Sequence, residues 1–77
     1  MTLNEAKSLT NGTMVHHVIK KNVDGTPMRA RVTGIKTWKS KRNENRVEVH
    51  VKHGLYDYAI FYENELDELE IGDGREG

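Results

Sequence analysis

Seventy-seven residues, 12 basic and 12 acidic side chains and no cysteine point to one small domain without disulfides or thiolate metal sites. No apolar run approaches the ~20 residues of a membrane-spanning helix, and MTLNEAKSLTNG lacks the basic start and apolar stretch of a leader. A soluble protein, cytoplasmic and without membrane contact, is expected, with about 3–5 kcal/mol of net stability from so small a core.

The chain opens on Thr2 and Glu5, spaced as in a capping box, with Leu3, Ala6 and Leu9 at helical spacing. Only a short helix fits before Asn11-Gly12, and it forms only if Leu3 and Leu9 dock on the rest. The alternative is a disordered segment 1–11. Residues 13–22, TMVHHVIKKN, are rich in β-branched side chains and read as a first strand. Both faces carry apolar groups; Val15 and Ile19 form the more convincing inward pair. Asp24-Gly25 is a hairpin turn, and Pro27 blocks pairing beside it.

Residues 28–38 form the second strand, with Ala30 and Val32 inward and Arg29 and Arg31 outward. The alternation then slips at Gly34 before Ile35, which predicts a β-bulge or barrel-corner bend. Residues 39–45, KSKRNEN, are a loop. Residues 46–53 alternate cleanly, with Val47, Val49 and Val51 on one face and Glu48, His50 and Lys52 on the other. Residues 55–62, LYDYAIFY, form a fourth strand. Tyr56, Tyr58, Ile60 and Tyr62 share one face, and core packing is expected for at least two of these tyrosines. Residues 63–66 suit one helical turn capped by Asn64. Leu69 and Ile71 belong to a last short strand, and residues 72–77, GDGREG, are expected to be a disordered tail.

Five short strands with hairpin connections predict a mainly all-β, antiparallel fold, closed into a barrel because closure removes edges. The pieces Gly12-Thr13-Met14-Val15, Asp24-Gly25, Ala30-Arg31-Val32, Val47-Glu48-Val49 and Glu65-Leu66 before Leu69 resemble the SH3-like barrels of the Tudor, chromo-barrel and KOW type. The resemblance spans residues 12–71 and implies the fold more than a function, because this architecture hosts many unrelated partners; a non-catalytic binding module is expected. A Tudor-like aromatic cage would need Tyr56, Tyr58 and Tyr62 to converge, which one strand does not favour.

No nucleophile motif or phosphate-cradling loop is present, so no enzyme activity and no cofactor are expected. His16 and His17 point to opposite faces of a strand, and His50 and His53 also diverge unless Gly54 bends the chain. One histidine from each strand could meet across the sheet, but no metal site is expected.

The charge is unevenly placed. Residues 29–52 carry a net +6 and residues 57–77 a net −7. Arg29, Arg31, Lys36, Trp38, Lys39, Lys41, Arg42 and Arg46 form a basic hairpin with one aromatic, a combination suited to RNA or DNA, or to a ribonucleoprotein. The tip, residues 38–46, is its most promising part. An acidic protein surface is another candidate partner. A second copy is a third, since the acidic 63–70 segment and the aromatic fourth strand provide a protein-interaction alternative. The competing account is that the lysines only solubilise and Trp38 folds back over the barrel mouth.

Overall fold

A computed structural model describes residues 1–74. Among the described residues the chain forms one antiparallel sheet of five strands, with a short helix and a single 3-10 turn. Helix α1 (Leu3–Lys7) starts at the expected capping box: Thr2 Oγ1 accepts from Glu5 N, and Glu5 Oε1 accepts from Thr2 N. The short helix is held by docking, with Ala6 fully buried and Leu3 and Leu9 packed against the core.

Strands β1 (Met14–Lys21), β2 (Pro27–Lys39), β3 (Asn45–Lys52), β4 (Tyr58–Tyr62) and β5 (Leu69–Ile71) lie in the order β4-β3-β2-β1-β5. Strand β2 has 13 residues and serves both halves of the sheet. Its start pairs with β1, and residues 31–39 pair with β3. The register slips between Val32 and Gly34, where a bulge was expected. The expected closure is not made. Strands β4 and β5 form the two edges of an open sheet, each with one partner strand among the described residues.

The core lies on one face of this sheet. Val15, Ala30, Val32, Val47, Val49, Val51, Phe61 and Leu69 are buried there, with Leu66 and Ala6 closing over them. Valine alternation in β3 decides the face, because its partners Ile35, Phe61 and Ala59 must follow it.

Three expectations need correction. Ile19 is exposed, and the inward partner of Val15 is His17. Strand β5 has three residues and pairs only with Val15, His16 and His17, so the outer half of β1 has no core to face. Tyr56, Tyr58 and Tyr62 are all exposed, and Phe61 and Ala59 take the inward positions instead. The helical turn spans Leu66–Glu68 and starts at Glu65 without a side-chain cap, so Asn64 does not cap it.

Residues 72–74, expected to trail, return to the sheet. Gly72 N donates to Met14 O at 2.8 Å, and Arg29 Nε donates to Asp73 O at 2.8 Å. The rest of the expected tail, 75–77, lies outside the described residues.

Candidate nucleic-acid interface

The sheet face opposite the core is built by register. Strand β2 contributes Arg29, Arg31, Lys36 and Trp38. Arg29 and Arg31 have odd numbers, Lys36 and Trp38 even ones. Only the one-residue slip at Val32–Gly34 places all four on one face. Across from them, β3 places Arg46 opposite Trp38, Glu48 opposite Lys36, His50 opposite Gly34 and Lys52 opposite Arg31. Strand β4 then adds Tyr62 beside Glu48, Ile60 beside His50 and Tyr58 beside Lys52.

This face carries aromatic surface in the open. Trp38 is 43% exposed, Tyr62 43%, Tyr58 62% and Ile60 41%. Trp38 therefore does not fold under a barrel mouth. It stands between two shallow clefts, one shared with Lys7, Lys39 and Asn45, the other with Arg46, Tyr62, Glu63 and Asn64. The second cleft has an indole and a phenol as walls. Tyr58, Ile60 and Tyr62 line a further groove with Thr33 and His50.

Two carboxylates of this region are already engaged. Glu63 forms an ion pair with Arg46 and accepts from Val47 N at 3.4 Å. Its carboxyl is held below the usual range, first by its own backbone amide, then by the Val47 amide and Arg46. Glu48 Oε1 lies 3.0 Å from His50 Nε2. At the far edge Glu70 faces His16 at 3.6 Å. Lys36, Lys39, Lys41, Arg42 and Lys52 form no ion pair among the described residues. Lys52 Nζ lies 5.5 Å from the centre of the Tyr58 ring.

The eight residues singled out in the sequence are thus only partly brought together. Arg31, Lys36, Trp38 and Arg46 share the face. Arg29 lies at its other end, roughly 30 Å from Trp38 along an extended strand, and Arg31 Nη1 donates to Gly12 O at 2.9 Å. Lys39 ends β2. Lys41 and Arg42 are exposed on the 40–44 turn, which Ser40 Oγ braces by accepting from Arg42 N and Glu44 N. Tyr58, Ile60, Tyr62 and Lys52 are not among those eight; the tyrosine strand entered only as a protein-interaction alternative. Their period-two spacing was legible, but which face they occupy is fixed only by pairing with β3. Tyr58 and Tyr62 sit four positions apart, roughly 13 Å, so they do not form a cage.

On the core side, His17 Nε2 on β1 and His53 Nε2, one residue past the end of β3, meet at 2.7 Å. His50 points away, to Glu48. His17 is 3% exposed, and His53 Nδ1 is buried without a hydrogen-bond partner. Burial, and then the nearby His53, Lys20 and His16, push the His17 pKa below its ordinary 6.5. Native His17 therefore resists a proton that the unfolded chain accepts.

That depression sets a pH dependence. Above about pH 6.5 the ring is neutral in both states and contributes nothing. As pH falls below that, the unfolded state binds more protons, and stability drops by at most ~1.4 kcal/mol per pH unit from this group. Glu5, Asp24 and Glu63 have lowered pKa values, so their stabilisation is present above 4.5, 3.8 and 4.5 respectively and is lost only below. Urea midpoints between pH 7.5 and 3 are expected to fall in two steps. His17→Gln should remove the upper step alone; an unchanged upper step would refute this origin.

No protein-family model, curated protein or solved structure matches the chain.

Proposed function

We propose that this chain is a non-catalytic module that binds single-stranded nucleic acid across the outer face of its sheet. The observation that carries this reading is the interleaving, on one open face, of exposed Trp38, Tyr58 and Tyr62 with Arg31, Lys36 and Lys52. Unpaired bases offer π-faces to stack on aromatic rings, while lysine and arginine neutralise the backbone between them. A duplex keeps its base faces stacked inside and cannot use the rings in this way.

The zero net charge of the chain does not weigh against this face. Glu63 and Glu48 are tied to Arg46 and His50, and Asp67 and Glu68 lie in the 3-10 turn that packs beside the core. The bent β2, the strand order and the turn before β5 support an SH3-like arrangement as the scaffold.

Labelled oligo(dT) or oligo(rU) of about ten nucleotides, spanning the site sizes seen for small β folds, tests the reading by fluorescence anisotropy. If about three phosphates are neutralised, log K should fall against log[salt] with a slope near −2. Lys36→Glu with Lys52→Glu should weaken binding and flatten that slope. Binding that ignores these changes would refute the reading. So would no binding at low salt combined with self-association through the uncharged β4 edge.

A further inference from the structure

Buried His17 and half-buried His53 are titratable groups that the outer face does not use. Their Nε2 atoms are 2.7 Å apart, their ring centroids 5.0 Å apart, and their planes inclined by 20°. The centroid separation is the nitrogen separation plus about one ring radius at each end. The rings therefore meet head to head, nearly coplanar, rather than face over face. Their Nε2 lone-pair axes are close to collinear. In the neutral pair one nitrogen donates and the other accepts, so a single proton lies between them.

The surroundings narrow what else could sit there. Phe61 stands edge-on to His17 with centroids 5.5 Å apart. No group of three or more histidine, aspartate or glutamate side chains that could hold a metal ion occurs among the described residues. Lys20 and His16 are the other groups that act on His17 electrostatically, and neither is an anion.

We propose that His17 and His53 form a two-coordinate site for a monovalent soft metal ion of the copper(I) class, which takes the place of the shared proton. Two collinear neutral nitrogens are the donor set that a d10 monovalent ion accepts in linear coordination. Zinc(II) takes four ligands in a tetrahedron, and calcium and magnesium take oxygen; neither set is offered. A dication would also place two charges near Lys20 without a carboxylate to balance them. Both rings must bind as the Nδ1–H tautomer. The ring that loses its Nε2 proton to solvent gains one at Nδ1, so no net proton is released and the site gains one positive charge.

Metal–imidazole bonds of about 2 Å require the two nitrogens to part by roughly 1 Å. His53 can supply that movement, because it lies beyond the end of β3 in the bend that leads into Gly54. It also borders an open cleft lined by Met14, Arg29, Arg31 and Lys52.

Silver(I) is the redox-inert probe, added to the whole chain in chloride-free buffer. Long-range proton–nitrogen spectra of the histidine rings should show both the His17 and His53 Nε2 signals shifting together up to one equivalent. His16 and His50 should not move. Calorimetry should give one site, lost in His17→Gln and in His53→Gln, with circular dichroism reporting whether each variant is folded. An equivalent of zinc(II) should not displace the silver. The proposal is overturned if silver moves the signals of His16, His50 or the methionine methyls instead. It is equally overturned if the pair's spectra stay unchanged. The wild-type spectra decide the matter even if a variant fails to fold.

Discussion

Leu69→Ala is expected to leave much of the protein unfolded at 25 °C. Leu69 is the largest fully buried side chain, with no exposed surface. It sits on β5, opposite His17, where the sheet meets the 3-10 turn: Leu69 N donates to Leu66 O, and Leu69 O accepts from the Met1 nitrogen at 2.9 Å. Leucine-to-alanine changes in a core cost about 2–5 kcal/mol, through lost transfer energy and the cavity left behind. A domain of this size holds only about 3–5 kcal/mol in total. The remainder is too small to keep the native state dominant. Leu69→Met keeps the volume and should cost less than ~1.5 kcal/mol. Ile71→Ala, two residues along but 45% exposed, should cost less than Leu69→Ala. Urea unfolding followed by circular dichroism ranks the three. A Leu69→Ala midpoint close to wild type would mean that β5 lies outside the cooperative core.

The same residue shows where sequence reading succeeds. Leu69 follows an acidic run and Ile71 precedes Gly72, so the isolated apolar pair at positions 69 and 71 reads as a strand. Val47, Val49 and Val51 are legible for a stronger reason: every second residue is apolar and each intervening one is polar, so one face must be buried. Gly34 was legible because alternation failed there. The capping box of Thr2 and Glu5 is wholly local and needed no tertiary information.

What was not legible depends on pairing. In β4 both faces are apolar, with Tyr58, Ile60 and Tyr62 on one and Ala59 and Phe61 on the other. Local hydrophobicity favours the tyrosine face, and only the register Val49 opposite Phe61 reverses the choice. In β1, Ile19 is more apolar than His17, yet His17 is inside because the three-residue β5 covers only the start of that strand. The candidate site inherits both effects. Its basic half was visible as a charge run. Its aromatic half required knowing that β4 turns its tyrosines outward beside β3.

The charge and the aromatic rings of the outer face should separate cleanly in binding measurements. Trp38→Ala and Tyr62→Ala each remove one wall of the cleft that they share with Arg46. Base stacking is worth about 1–3 kcal/mol per base, so each change should weaken oligonucleotide binding roughly 5- to 150-fold. The double variant should lose less than the product of the two if both rings hold the same base, because contacting residues are not additive. Neither change touches a cation, so the dependence on log[salt] should keep its slope while affinity falls. Lys36→Glu should do the reverse, flattening the slope with a smaller loss at high salt. Trp38→Phe retains a ring and should recover part of the affinity. Both aromatic side chains are more than two-fifths exposed, so their removal should leave the urea midpoint near wild type and the loss can be assigned to contact with the ligand. If Trp38→Ala instead lowers stability and leaves affinity intact, the indole is packing the sheet and the outer face binds by charge alone.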